Sequence, residues 1–361
     1  MKAYALHGVN DLRYEEVDIP EVKDNEVLVN VQAAGVCGSD IPRIYKTGTY
    51  SFPLIPGHEF SGVVEMVGQK VDDKWSGKRV GVFPLIPCCK CIPCKNKRFE
   101  MCRHYSYLGS RSDGGFAEYV AVPVWNLIEL PESVSFEQAA MMEPMAVAVH
   151  AMREADVRSD QTVAVIGLGT IGLLLCMFLV QAGVKNIFVI GNKEFQKQQI
   201  LALGISADHY CDSRTQKIEE WLAKQTNAYG VDVFFECIGK TETINQAILN
   251  TAPGGVVQLI GNPASDILFE KNIYWKILRN QLTVKGSWNS SFTHDSGDDW
   301  HYVLNALQEG KIAPERFITK KLAFDQLEQG LVVMRDKTEE YVKIMIYRTD
   351  YSYVIDNKIS I

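Results

Sequence analysis

The stretch VAVIGLGTIG, Val163 to Gly172, limits the possible folds more than any other part of the chain. An apolar run, Val163–Ile166, breaks into Gly167-Leu168-Gly169-Thr170-Ile171-Gly172, and the long apolar segment LLLCMFLVQAG follows. The order is strand, glycine-rich turn, helix. In that order Gly167 permits a tight turn, Gly169 lets the backbone approach a pyrophosphate, and Gly172 lets the helix pack close on its strand. Phosphates would meet open N–H groups and the positive end of the helix dipole. The glycine spacing alone also occurs in ordinary turns. Its flanks make a dinucleotide cradle the expectation, built from Gly167, Gly169, Thr170, Ile171 and Gly172.

The segments downstream extend this pattern. NIFVI at 186–190 reads as the second strand, and a helix then runs through Ala202 to a stop at Gly204. VDVFFECIG, GGVVQLIG and LTVKGSW are further buried, parallel-type strands, with helical KIEEWLAKQ and TINQAILNT among them. This predicts a Rossmann doubly wound parallel sheet over 154–287. At the end of NIFVI, where an acidic side chain would accept bonds from the ribose 2′-OH of NAD, the chain has Gly191-Asn192-Lys193. With no carboxylate to repel a 2′-phosphate, Asn192 and Lys193 leave both NAD and NADP open.

The first 130 or so residues read as short strands between turns, and Ser135 to about Arg153 reads as helical. After Trp288 the chain is mixed, ending in strand-like EEYVKIMIYR and the polar tail TDYSYVIDNKISI. The predicted plan is an α/β protein in which residues 1–153 and 288–361 form a β-rich catalytic domain around the dinucleotide-binding insertion. At 361 residues there is chain enough for two cores. A formal charge of -7 argues against a nucleic-acid or membrane-surface role. No apolar run reaches the roughly eighteen residues of a membrane span. The opening MKAYALHGVNDLRYEE has no apolar signal core, so a cytoplasmic location is expected.

Cysteine usage points the same way. Of nine cysteines, five fall between Cys88 and Cys102 in CCKCIPCKNKRFEMC. Cys88, Cys91, Cys94 and Cys102 stand as C-x2-C-x2-C-x7-C, a spacing suited to a closed tetrahedral zinc site that pins a polar loop. With four sulfurs around the ion, no position is left for substrate. Cys89 is a bystander, because pairing it with Cys91 would leave too short a chelate loop. Free thiols and an iron–sulfur cluster are the competing readings. A second, dispersed set is Cys37 in CGSD, His58-Glu59 after Pro56-Gly57, and Glu143 before Pro144. Cysteine, histidine and carboxylate together suit a catalytic zinc with an open position. Spacing alone leaves that set undecided.

GHEFSGVVEMVG, the four-cysteine segment, DGGFAEY and GLGTIG follow one another along nearly the whole chain. In this the sequence resembles the zinc-dependent medium-chain dehydrogenase/reductase family. Glu143, where the alcohol-dehydrogenase branch has cysteine, is similar to the polyol (sorbitol-type) branch. The resemblance implies a GroES-like catalytic domain beside the Rossmann domain, and assembly as a homodimer or homotetramer. It also implies Cys37, His58 and Glu143 as ligands of a catalytic zinc, with Glu59 as a fourth ligand or a switchable neighbour. Ser39 matches the hydroxyl that takes the substrate proton. Many relatives carry a histidine soon afterwards to pass that proton on. This chain has Ile41-Pro42-Arg43, so water and the cofactor ribose are the expected exit.

The substrate implied is a small polyol or polyol phosphate. Arg43 and Lys46, close after the ligand loop, have the chemistry to clamp a phosphate; a solvated basic face is the competing reading. Trp288 and Asn289 could line the polyol cleft, and Trp288 could equally be packing. An unphosphorylated polyol, a diol or L-threonine is the alternative substrate. A non-catalytic dinucleotide-binding protein is the alternative class, and it would have no need of the open metal site.

Overall fold

The computed structural model describes residues 1–348, so the polar tail from Thr349 lies outside the described residues. The chain forms two compact units. Among the described residues, one comprises Met1–Ile86, Tyr105–Met141 and 315–348; the other comprises Pro87–His104 and Met142–Pro314. The sequence reading set its boundaries at 153/154 and 287/288. By packing, the cysteine segment and the helix Met142–Glu154 go with the second unit.

The first unit is β-rich. Its main sheet runs in the order Ile318–Ala323, Lys343–Tyr347, Glu26–Val36, Glu59–Val67, Arg79–Val82, Leu127–Glu129, and Tyr119–Pro123 also pairs with Glu26–Val36. Glu26–Val36 is buried along almost its whole length because it has neighbours on both edges. Its residues Val27, Val29 and Val31 pack with Phe60, Val64, Val80 and Phe116 in an aliphatic and aromatic core. The sheet is completed by chain 307 positions beyond Val36, where Lys343–Tyr347 pairs antiparallel with Glu26–Val36, Ile344 opposite Val36.

The second unit has a six-stranded parallel sheet. Its strands in chain order are Thr162–Ile166, Asn186–Gly191, Tyr210–Asp212, Val231–Glu236, Thr251–Leu259 and Thr283–Gly286. Their spatial order is 3-2-1-4-5-6, the doubly wound arrangement expected from the sequence. The first and fourth strands are neighbours, so the chain reverses its winding direction beside Thr162–Ile166. Apolar helices such as Thr170–Gln181 cover the sheet, with Leu173 through Leu179 buried. Among the described residues no helix is long and apolar enough to cross a membrane.

Candidate active site

In the first unit the glycine-rich motifs set the geometry. Gly57 has φ +94°, and a Cβ there would lie 2.6 Å from the Phe116 ring, so the turn into His58 requires glycine. The DGGF segment braces that turn: Gly115 N–H donates to Gly57 O (2.8 Å), Phe116 N–H to Pro56 O (3.0 Å), and Ile55 N–H to the Asp113 carboxylate (2.9 Å). Two motifs far apart in sequence are thus one hydrogen-bonded loop pair.

The pair delivers His58 and Glu59 beside Cys37, which follows the central strand. One ligand atom each from Cys37, His58 and Glu59 lie within 4.8 Å of one another. His58 and Glu59 are buried, at 5% and 1% exposure. Asp40 organises the other side. Fully buried, it accepts from the Cys37 N–H (3.0 Å) and from Arg43 Nη1 (2.6 Å). Burial alone would push its carboxyl up, but His58, Arg43 and the Cys37 N–H together outweigh that and hold it below the usual range. His58 Nδ1 lies 3.5 Å from Asp40 Oδ1, too far for a good hydrogen bond, and has no hydrogen-bond partner among the described residues. An orphaned buried nitrogen amid thiol and carboxylate donors fits a borderline cation such as zinc.

Ser39 precedes the short helical turn Asp40–Pro42 but makes no capping bond with its side chain. Its hydroxyl donates instead to Cys37 Sγ at 3.3 Å, placing it at the cluster. Arg43 is committed to Asp40, with a side chain only 17% exposed, whereas Lys46 is exposed. The sequence reading passed over two further groups here. Tyr107 stacks obliquely against His58 at 5.8 Å. Arg111 is held between Tyr50 and Tyr105, at 4.2 and 4.3 Å from their ring centres. Asp40 lay within the quoted CGSD motif, but nothing in sequence spacing pointed to Arg111.

The second unit holds the other predicted groups. The sulfur atoms of Cys88, Cys91, Cys94 and Cys102 lie within 4.8 Å of one another, with 3.4 Å between Cys91 and Cys94 and 3.9 Å between Cys91 and Cys102. A tetrahedral zinc with Zn–S bonds of about 2.3 Å spaces its sulfurs by roughly 3.8 Å, so the set fits that ion. Backbone N–H groups of Arg103 and Cys94 pull the Cys91 thiol down to about 6, favouring thiolate. Cys89 is exposed and left-handed, outside the cluster. Glu143 is buried in the first turn of Met142–Glu154. His150 bonds Asp299 at 2.7 Å in the interior.

The glycine turn has its expected shape. Gly167 has φ +96°, and a Cβ on Gly172 would overlap the Gly167 carbonyl. A Cβ on Gly169 would meet nothing within 4 Å, which leaves open space where phosphates would approach. Thr170 and Ile171 open the helix, and Gly169 at its N-cap gives no side-chain cap. At the next strand end Gln196 accepts from the Asn192 N–H (3.1 Å) and donates to Leu168 O (3.1 Å), tying the two loops together. Tyr210 hydroxyl donates to the Lys193 carbonyl at 2.9 Å. Arg214, which the sequence reading did not single out, follows the strand paired beside Gly191 and forms a two-pronged bond with Asp212. Trp288 is 58% exposed, and Asn289 adopts a left-handed conformation with its side-chain Oδ1 accepting from Ser290 N–H at 2.8 Å.

Two family profiles match the chain: the alcohol dehydrogenase GroES-like domain over residues 23–132, and zinc-binding dehydrogenase over residues 170–309. Galactitol 1-phosphate 5-dehydrogenase of Escherichia coli K12 is 34% identical over 328 residues, 90% of this chain and 94% of that protein. The chain belongs to the zinc-dependent medium-chain dehydrogenase/reductase family. The crystal structure of galactitol-1-phosphate dehydrogenase from Escherichia coli superposes with a TM-score of 0.89 at 31% identity, covering 96% of this chain and all of that one. A zinc-binding dehydrogenase from Sinorhizobium meliloti 1021, bound to NADP, gives a TM-score of 0.87 at 29% identity, over 96% and 98% of the two chains. As a member of this family's polyol branch, the protein is a zinc-dependent dehydrogenase of alcohols or polyols that uses NAD or NADP.

Proposed function

We propose that the protein transfers a hydride between a nicotinamide cofactor and a secondary alcohol of a polyol phosphate, converting galactitol 1-phosphate to tagatose 6-phosphate. The observation that carries this is the Cys37–His58–Glu59 cluster with the Ser39 hydroxyl beside it, in a chain 34% identical to an enzyme of that name. Cys37, His58 and Glu59 would hold the catalytic zinc, with Glu143 added by the family resemblance, and Cys88, Cys91, Cys94 and Cys102 the structural one. Bound there, the catalytic ion supplies Lewis acidity that eases loss of the substrate's hydroxyl proton. Ser39 would take that proton, and a nicotinamide bound by the second unit would supply the hydride acceptor. Ile41, Pro42 and Arg43 provide no histidine relay, so the proton would leave by water or a bound cofactor's ribose.

Gly167, Gly169, Thr170, Ile171 and Gly172 cradle the pyrophosphate, and Asn192 and Lys193 border the 2′ position. For substrate, Lys46 is the exposed cation near the ligand loop, and Trp288 and Asn289 contribute to the polyol side. The commitment of Arg43 to Asp40 favours a second reading, an unphosphorylated polyol, a diol or L-threonine, because it removes one of the two cations a phosphate clamp would use. Exposed Leu268, Tyr274, Leu278 and Val284 around the edge strand Thr283–Gly286 support a homodimer or homotetramer. Steady-state turnover of galactitol 1-phosphate against galactitol and sorbitol tests the substrate. A higher kcat/KM for the unphosphorylated polyols would move the assignment to the second reading.

A further inference from the structure

Lys343 is a buried cation that the reaction outlined above leaves unused. It opens the apolar strand KIMIY with its side chain only 2% exposed. An ammonium at that depth is costly unless it has a charged partner and good acceptors. It has both: Nζ donates to Glu59 Oε2 at 2.6 Å and to the Val36 carbonyl at 3.2 Å.

Sheet register explains how the three meet. Ile344 stands opposite Val36, and Gly35 stands opposite Glu59, so the last strand sets its lysine beside both. Gly35 supplies the room, since a Cβ there would overlap Glu59 Oε2 and come within 3.3 Å of Glu59 Cβ. Val36 immediately precedes Cys37, and Glu59 immediately follows His58. One ammonium therefore ties together the two segments that carry the ligand candidates.

A carboxylate can take a metal with one oxygen or with both. An ammonium hydrogen-bonded to Oε2 occupies one of them. We propose that Lys343 is a positioning residue for the metal centre: by holding Oε2 it limits Glu59 to one metal-directed oxygen and keeps a coordination position for the substrate hydroxyl. The proposal rests on the reading of Cys37, His58 and Glu59 as a metal site. It deepens that reading by stating what keeps the site open.

The experiment exchanges zinc for Co2+ in the full-length protein and reads the visible d–d bands, which weaken as coordination rises above four. C37S removes the mixed site and gives the four-cysteine spectrum to subtract. In K343M the released carboxylate closes on the metal with both oxygens, so the remaining bands fall at least ~2-fold. The double variant K343M/E59Q, lacking that carboxylate, returns them toward the wild-type intensity. K343Q replaces K343M in the comparison should the latter be insoluble. A purely structural lysine would lower the unfolding temperature and leave the bands unchanged, and that result overturns the proposal. Wild-type protein that takes up Co2+ only at the four cysteines refutes the metal reading itself, a distinct failure.

Discussion

Gly169 and Gly172 stand three residues apart in one turn, yet an added methyl group would act on them in opposite ways. On Gly172 it collides with the Gly167 carbonyl, so Gly172→Ala should cost about 1–3 kcal/mol as helix and strand are forced apart. On Gly169 the methyl meets nothing, and φ is -79°, so Gly169→Ala should stay within about 1 kcal/mol of wild type. The same methyl would stand where the pyrophosphate must approach. We expect the dinucleotide Kd to rise ~10-fold or more, about 1.4 kcal/mol, with an unchanged melting temperature. Denaturant unfolding and a nucleotide-fluorescence titration check both halves. Equal losses of stability at the two positions would show that the open space beside Gly169 does not serve the cofactor. The close approach at Gly172 was legible in the sequence because glycine spacing reports directly on backbone approach. Lys343 was not, because a lysine opening a strand reads as solvated until the register places it against Glu59.

The segment Pro87–His104 shows what a metal must do for an element that cannot fold by burial alone. Its regular structure is one helical turn, Ile92–Lys95, and a 3-10 turn, Phe99–Met101. Its ion pairs to the rest of the unit are Lys97 to Asp295 at 2.9 Å and Arg98 to Glu154 at 3.4 Å. Such exposed pairs contribute little, with a median of about 0–1 kcal/mol. A zinc held by the four cysteines would therefore supply much of the local stability. Cys94→Ser should drop the zinc content from about two ions per chain to about one and expose residues 87–104 to proteases, while the dinucleotide still binds. Metal analysis with limited proteolysis reads this; a lobe that stays protected without its zinc would show that the ion pairs suffice. A smaller effect applies to the helix Phe136–Ala140. Its Ser135 hydroxyl accepts from Gln138 N–H at 3.1 Å, and the Gln138 side chain accepts from Ser135 N–H at 3.0 Å. Ser135→Ala removes the first of these bonds and should cost about 1 kcal/mol in urea unfolding. Both elements were legible beforehand, since cysteine spacing and apolar runs are local signals. The exact partition was not: Pro87–His104 packs with a unit whose other segments lie some forty residues further along the chain.

At the scale of the whole molecule, the first unit draws on three separate pieces of sequence, and the parallel sheet comes entirely from the continuous run 142–314. A ligand that binds only this second unit stabilises it by mass action, by about 2.7 kcal/mol at one hundred times its Kd. For a unit of some 150–250 residues each kcal/mol is worth roughly 2–4 °C. A calorimetric shift at equal concentrations of NAD and NADP therefore ranks their affinities without any knowledge of the substrate. The strand end decides the ranking. Asn192 brings no charge, Lys193 brings a cation, and Asp212, on the neighbouring strand, is held down to about 2 by its paired Arg214. That pairing offsets the repulsion Asp212 would exert on a 2′-phosphate and adds the Arg214 guanidinium as a second cation in the neighbourhood. NADP should give the larger shift, and Lys193→Ala should remove most of the difference while leaving the NAD shift unchanged. A larger shift with NAD would mean that Asp212, not Lys193, sets the field at the 2′ position, and the cofactor would be assigned accordingly.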